Sequence, residues 1–193
     1  MTRFANLKNL RSTEGSQIVE FAVSLPLLVV LVVGIFDFGA AFNLKQKIHN
    51  AALLAARTGA SQTTRDLSLT GNCGTPDSVC AIRDTVANSL TAAKVNDCGL
   101  DSATGSSTGP LTWTFTANSG CPGTLTLTVN RGFLYTTTLV APFEANYTIE
   151  GTRATVSYPY RWQFSSVIQL VTPSANYPGS SQIHSTATVP NLN

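Results

Sequence analysis

Charge is the scarcest feature of this sequence. Charged side chains make up 11% of the 193 residues, against about 25% in typical soluble proteins. The formal net charge is only +2, and the basic residues form no stripe, so the electrostatic footprint of a nucleic-acid-binding protein is missing. The two histidines, His49 and His184, lie outside any cysteine or carboxylate pattern with metal-ligand spacing. We therefore expect no nucleic-acid partner, no metal and no other cofactor.

Catalytic motifs are also absent from the sequence. It contains no G-x-S-x-G nucleophile motif, no phosphate-binding Walker loop, no H-E-x-x-H zinc motif and no glycine-rich nucleotide fingerprint. Carboxylates such as Asp84, Asp101 and Glu144 are scattered without a partner at a useful spacing. The sequence thus predicts a protein that is not an enzyme and has no catalytic residues.

What the sequence does contain is one long apolar run near its beginning. No charged residue occurs between Phe21 and Phe36, and twelve of these sixteen positions are Val, Leu, Ile or Phe. Together they favour insertion into a bilayer by roughly 5 kcal/mol. The run spans about 24 Å as a helix, and extending it to Phe42 makes it long enough for the hydrocarbon core. We predict a single transmembrane helix over residues 16–43.

All four cysteines follow this segment, which indicates the side of the membrane on which they lie. An even number of cysteines on one side of a span is typical of disulfides in an oxidising compartment, and free structural thiols are the alternative. Three connectivities are possible, and we favour Cys73–Cys80 with Cys98–Cys121 because each pair brackets a short stretch. Basic residues differ little across the span, so the cysteines are the main reason to predict a cytoplasmic amino terminus and an exported carboxy-terminal domain.

The residues just before the apolar run have a sharper pattern. Residues 15–21 read GSQIVEF, which resembles the processing site of type IV pilin-like precursors. In that family a short basic leader ends in Gly, Glu is the fifth residue after the cut, and an apolar helix follows. Gly, Glu and an aromatic residue at these spacings arise by chance about once per 10⁴ positions. The resemblance implies that a prepilin peptidase removes residues 1–15 by cutting between Gly15 and Ser16.

Longer stretches narrow the resemblance to one family. Residues 20–28 (EFAVSLPLL), residues 34–39 (GIFDFG) and residues 50–57 (NAALLAAR) resemble the TadE-like family of tight-adherence pilus assembly proteins. This resemblance implies a minor pilin or pseudopilin of a tight-adherence (Flp/Tad-type) pilus that acts in pilus assembly or adhesion. It would be a single-pass protein of the bacterial inner membrane, with the pilus as a second location, and its partners would be other pilins, the peptidase and membrane lipid. The alternatives are the major filament subunit and a membrane-tethered surface binding module or adhesin.

Glu20, Phe21 and Pro26 are the residues to which this resemblance assigns a role in assembly or processing. A carboxylate at Glu20 is costly at the edge of an apolar helix unless it finds a partner. The resemblance implies that this partner is the free amine created on Ser16 by cleavage, in a neighbouring subunit. Pro26 removes a backbone hydrogen bond and favours a kink, which is either a plain bend or an aid to extraction from the bilayer.

The remaining residues predict an α+β fold. Apolar residues at helical spacing predict that the membrane helix continues as an amphipathic helix over residues 44–66. Residues 67–193 then form the exported domain, with a second helix from Pro76 to about Lys94 and a loop at residues 97–110. Threonines alternating with apolar residues at 111–116 and 124–129 predict an antiparallel hairpin. Further strands are expected at residues 133–140, 147–150, 153–162 and 182–189, giving a mostly antiparallel sheet of about four to six strands.

Overall fold

The structure, a computed structural model, describes residues 13–139, 145–163 and 180–192. Its longest element is a single helix, α1 (Thr13–Ser61), which at 49 residues is about 74 Å long. The chain divides into two compact units: one contains α1 up to Gly39, and the other contains the rest of α1, a second helix and a β-sheet. The predicted continuation of the membrane helix into the second region is therefore one uninterrupted helix.

The part of α1 that belongs to the first unit is apolar and exposed on nearly all sides. Large side chains such as Val23, Leu27 and Phe36 are each more than 70% exposed. One helix of the described residues is long and apolar enough to cross a membrane, and its apolar window is not buried against the rest of the protein. A surface of this kind matches lipid rather than water.

The part of α1 in the second unit has a narrow buried stripe instead. Ile48, Ala51, Ala52, Ala55 and Ala56 are all fully buried and recur at the three- and four-residue spacing of one helix face. Because four of the five are alanines, the helix backbone can approach the sheet closely. His49 accepts or donates a hydrogen bond at Nδ1 with the hydroxyl of Ser185, at 3.1 Å, so it links the helix to the sheet and has no catalytic partner among the described residues.

The second helix, α2 (Asp77–Ala92), packs on the same core through Val79, Ile82, Val86 and Leu90. Its amino terminus receives a cap from outside the helix, because the Asp66 carboxylate accepts a 2.7 Å hydrogen bond from the Ser78 N–H. A carboxylate in this position also complements the positive end of the helix dipole. The helix ends two residues before the predicted limit at Lys94, whose φ of 56° lies outside the helical region.

The sheet has five strands in the order β1-β2-β3-β4-β5, all antiparallel. Their bounds are β1 (Gly105–Gly109), β2 (Thr112–Ala117), β3 (Leu125–Leu139), β4 (Ala145–Arg161) and β5 (Ser180–Pro190). Both helices lie in one core cluster with the inward-facing strand residues Phe115, Leu127 and Val156. The predicted α+β class, with helices packed on an antiparallel sheet of four to six strands, is confirmed.

Two predictions about the sheet were wrong in detail. Residues 97–110 were expected to be a loop, yet they contain a 3₁₀ turn (Leu100–Ser102) and β1. β1 has no hydrophobic alternation, so its sequence gives no strand signal, and it pairs with β2 through its backbone. Gly105 permits this pairing, because a Cβ there would lie 2.6 Å from the Phe115 ring.

The four separate strands predicted between residues 124 and 162 are two long ones. β3 passes through a bulge between Asn130 and Phe133, where it has one residue more than β4, and such a bulge bends a strand without ending it. Pro159 lies near the end of β4. The pairing of β4 with β3 ends at Ser157, so beyond that point β4 pairs only with β5, and a residue without an N–H is tolerated there.

Two disulfides fasten the loops of this unit. They join Cys73 to Cys80 and Cys98 to Cys121, which is the connectivity favoured from the sequence. The second bond ties the segment after α2 to the β2–β3 turn. Beside it the Tyr158 hydroxyl donates a 2.9 Å hydrogen bond to the Asn96 carbonyl. Burial, with a smaller contribution from the charge of Asp97, raises the pKa of Tyr158 above its ordinary value of 10.0.

Arg131, in the bulge of β3, holds the end of α1. Its side chain is fully buried, and its guanidinium donates to the carbonyls of Gln62 and Thr63 at 2.9 and 3.0 Å. A cation at this position complements the negative end of the helix dipole. Burial lowers the pKa of Arg131, while the charges of Asp66 and Glu150 oppose that shift.

The same contacts explain why the helix is shorter than predicted. The amphipathic segment was expected to run to residue 66, but α1 ends at Ser61. The Thr63 hydroxyl accepts a hydrogen bond from the Arg65 N–H at 3.2 Å, a local bond that competes with helix continuation. With the carbonyls of residues 62 and 63 bonded to Arg131, the chain turns away from the helix axis.

Candidate processing and assembly site

The predicted cut lies among the first described residues of α1. The described part of this helix begins at Thr13, so both Gly15 and Ser16, which flank the predicted cut, are helical.

Glu20 lies one helical turn after Ser16 and is exposed, as is its neighbour Phe21 at 65%. The surrounding side chains Ile18, Val19 and Val23 are also exposed and apolar. Glu20 is thus a single carboxylate within an apolar surface that suits lipid. Such a group is expensive at membrane depth without a partner and is expected to be functional.

Pro26 is inside the helix, as predicted. Having no N–H, it leaves the carbonyl four residues earlier without its usual helical donor. Two residues before it, the Ser24 hydroxyl donates a 3.2 Å hydrogen bond to the Phe21 carbonyl, which is not the carbonyl that Pro26 leaves without a donor. Membrane helices tolerate a proline inside the helix.

The sequence argument missed one feature of the apolar part of α1. Gly34, Asp37 and Ala41 are buried, while most positions around them are exposed. Asp37 is a carboxylate within this apolar stretch, yet only 5% of it is exposed. The signal was present in the sequence, because these three residues share one helix face and the two outer ones are small.

Residues 15–57 match the family model described as "TadE-like protein". Residues 15–57 are a TadE-like segment. The resemblance drawn from the sequence is therefore confirmed over this part of the chain, which is less than a quarter of the 193 residues. Comparisons with curated proteins and with solved structures gave no match.

The bounds of the TadE-like segment fall on α1. The match begins at Gly15, on the near side of the predicted cut, and ends at Arg57, one turn before the helix end. It contains all the residues to which the sequence argument assigned processing or assembly. The segment associates the chain with tight-adherence pilus systems and other components of such systems, and its single apolar helix fits a single-pass membrane protein. The sheet and the disulfides lie outside the match.

Proposed function

We propose that this protein is a minor pilin or pseudopilin of a tight-adherence pilus, and that a prepilin peptidase cuts it between Gly15 and Ser16. The observation that carries the proposal is the placement of Gly15, Glu20 and Phe21 at the start of an exposed apolar helix within the TadE-like segment. The large unit that follows the segment supports a minor role, since the major filament subunits of tight-adherence pili tend to be much shorter chains.

Cleavage would create a positively charged group with which the Glu20 carboxylate can pair. The cut frees an α-amino group on Ser16, whose ordinary pKa of about 7.7–8.0 keeps it mostly protonated at neutral pH. This ammonium group stands at the positive end of the α1 dipole, where a cation is disfavoured and a carboxylate is stabilised. Each charge therefore lowers the free energy needed to place the other in the apolar surroundings of the helix. In a medium of low dielectric their attraction is strong.

The pairing we propose is between subunits. Ser16 and Glu20 are one turn apart in the same helix, and the exposed carboxylate of one chain is available to the amine of a neighbour whose helix is axially displaced. A filament built from parallel apolar helices would repeat this contact along its axis. Before cleavage the amine does not exist, so the contact and hence assembly would depend on the peptidase.

The same proposal includes a location. Residues 1–15 would lie in the cytoplasm, α1 would cross the inner membrane in contact with lipid, and the disulfide-bearing unit would be exported. The two disulfides support this orientation, because such bonds persist in oxidising compartments.

The test of processing is the mass of the mature chain isolated from cells with an active prepilin peptidase. We expect a chain that begins at Ser16, and a Gly15→Leu variant that remains full length. An intact Met1 in the wild-type protein would refute the proposal.

The test of pairing uses two carboxylates that lie on opposite sides of the cut. Glu20→Gln should be processed yet fail to cross-link to the other pilins of the system, because the neutral amide offers no charge to the Ser16 amine. Glu14→Gln is the matched control: Glu14 leaves with the leader, so its loss should not change cross-linking. Normal assembly of Glu20→Gln would contradict the proposed pairing while leaving the cut intact.

A further inference from the structure

The face of the sheet that points away from both helices has an ordered arrangement of hydroxyl groups. The register of the strands places five small polar side chains side by side, one from each strand. We call this set the hydroxyl row: Ser106, Thr114, Thr128, Thr155 and Thr186. Neighbouring strands are about 4.8 Å apart, so the row presents hydroxyl groups at regular intervals across the sheet.

The hydroxyl groups of this face bond to each other and remain accessible. Thr155 and Thr186 are joined at 3.0 Å, and Thr114 lies 3.1 Å from Thr108 and 3.5 Å from Thr128. A hydroxyl can donate once and accept twice, so these contacts use only part of its capacity. The side chains are held in place and still have free sites for a ligand.

The same face continues into an aromatic surface. Beyond the bulge, β3 and β4 pair only with each other, because the pairing of β2 ends at Asn130 and that of β5 ends at Gly151. We call this two-stranded extension the arm. Its outward side chains share the face of the hydroxyl row, as shown by Arg153, whose guanidinium lies 3.2 Å from the centre of the Phe133 ring.

The aromatic rings of the arm are partly exposed. Phe133 and Tyr135 are stacked, with ring centres 6.4 Å apart. Tyr135 covers Gly151, where a Cβ would lie 3.0 Å from its ring. Tyr147 lies two residues before Ile149, the pairing partner of Tyr135, and is 50% exposed. These rings extend the hydroxyl row by a flat apolar patch with polar tips.

Few charges occur on this face. In the described strands its only charged side chains are Arg153, which is engaged with Phe133 and with the Thr188 hydroxyl at 3.2 Å, and Arg161 at the far end of β4. No carboxylate of these strands points to this side, since Glu150 belongs to the opposite face by alternation. The face is therefore suited to an uncharged partner.

We propose that the hydroxyl row and the outward rings of the arm bind a neutral polysaccharide. Sugar hydroxyl groups are donors and acceptors of the same kind as Thr and Ser hydroxyl groups. The C–H bonds of a sugar ring pack on the electron-rich face of an aromatic ring. A neutral glycan thus matches both halves of the face at once. The inference does not depend on cleavage after Gly15, because the face lies outside the TadE-like segment.

Other occupants fit the face less well. Anionic lipid and nucleic acid require clusters of lysine and arginine, which the described strands do not have on this side. A second copy of the chain would need an apolar centre, since the core of homodimer interfaces is about 65% apolar. The hydroxyl row offers mostly polar groups, and the rings lie to one side of it.

The experiment is retention of the full chain, embedded in lipid nanodiscs, on insoluble neutral polysaccharides: cellulose, curdlan, amylose resin and mannan. Alginate beads are the acidic counterpart, and glycosidic detergents are avoided because their head groups would compete. We expect retention on at least one neutral polymer. Tyr147→Ala and Tyr135→Ala should each weaken binding about tenfold, the factor typical of losing one aromatic contact.

Variants of the hydroxyl row separate hydrogen bonding from stacking. Thr114→Val and Thr155→Val keep the side-chain shape and remove the hydroxyl, and together they should weaken binding by a further factor of about ten. Thr148→Val, on the opposite face of the arm, is the matched control and should bind as the wild type does. Circular dichroism of each variant verifies that it is folded.

The remaining outcomes would overturn the proposal. These are no retention on any neutral polymer, retention on alginate alone, or retention that the tyrosine and threonine variants do not change. A dimer that dissociates on Tyr147→Ala would instead assign the face to a second copy of the chain.

Discussion

The two parts of α1 have the same secondary structure and meet opposite surroundings. Before Gly39 the helix presents large apolar side chains on most sides, and Phe36 is 74% exposed. From Ile48 onward it presents alanines on one face, and all of these are fully buried against the rest of the second unit. The apolar surface of the first part suits lipid chains, whereas the second part packs closely on a protein surface.

This difference shows that the two parts of α1 are distinguished by the size of their side chains and not by their helix propensity. Lipid is about as apolar as leucine and drives no packing between protein segments, so large side chains can remain exposed there. Against the sheet, every added methylene group must find space in a core of nearly crystalline density. The comparison predicts that equal substitutions in the two parts have very different effects on the stability of the second unit.

Removal of a large ring should give the largest difference. Phe115 is fully buried in β2, so Phe115→Ala should lower the free energy of unfolding of the second unit by about 3–5 kcal/mol. Phe36→Ala removes the same atoms from the exposed part of α1 and should leave that value unchanged. Urea unfolding in nanodiscs, followed by tryptophan fluorescence, measures both, since Trp113 and Trp162 belong to the second unit. Equal losses would contradict the division.

Arg131 should give the next largest effect. Arg131→Met keeps much of the side-chain volume and removes the donors to the carbonyls of Gln62 and Thr63. We expect a loss of about 2–4 kcal/mol, because charged hydrogen bonds are strong and a removed partner leaves buried groups unpaired. Arg57→Met is the control, since Arg57 is an exposed arginine in the last turns of the same helix. A loss at Arg57 as large as at Arg131 would mean that the helix end is held by general charge and not by these contacts.

The buried alanines of α1 allow a test in which a side chain is enlarged instead of shortened. Ala55 is fully buried, so Ala55→Leu should overfill the contact between helix and sheet and cost about 1–3 kcal/mol. Ala22 is exposed in the apolar part, and Ala22→Leu should have no effect on the same unfolding transition. If Ala55→Leu were neutral, the helix would not be packed as closely as the burial of its alanines indicates.

The apolar helix and the sheet also differ in how much of their structure the sequence predicts. The long apolar helix follows from composition alone, because no charged residue interrupts the sixteen positions from Phe21 to Phe36. The hairpin of β2 and β3 follows from Thr alternating with Leu, Trp and Phe. In contrast, β1 could not be predicted, because its Gly-Ser-Ser-Thr-Gly sequence is stabilised by backbone pairing that only the fold provides.

The burial of Arg131 can be predicted from the alternation of the strand that contains it. Arg131 follows Leu125, Leu127 and Val129 at the spacing of inward-facing positions, so alternation alone places its guanidinium in the core. A charge in such a position requires partners, and the nearest carbonyls without helical donors are those at the end of α1. The identity of these carbonyls depends on tertiary packing, which no local pattern contains.

The smallest expected effect concerns Tyr158 and has a defined pH dependence. Tyr158→Phe removes the hydrogen bond to the Asn96 carbonyl and should cost about 1 kcal/mol at neutral pH. Tyr147→Phe, at a half-exposed position of the same sheet, should cost nothing.

Because burial raises the pKa of Tyr158 in the folded protein above 10.0, the folded and unfolded states both keep the proton below that pH. Above it the unfolded chain loses the proton first, so the wild-type protein should lose stability as pH rises from about 10. The Tyr158→Phe variant should lose less over the same range, and the gap between the two proteins should therefore narrow. A gap that stays constant up to the pH at which the fold is lost would show that the buried hydroxyl titrates as it does in water, and that the contact beside the Cys98–Cys121 bond is open to solvent.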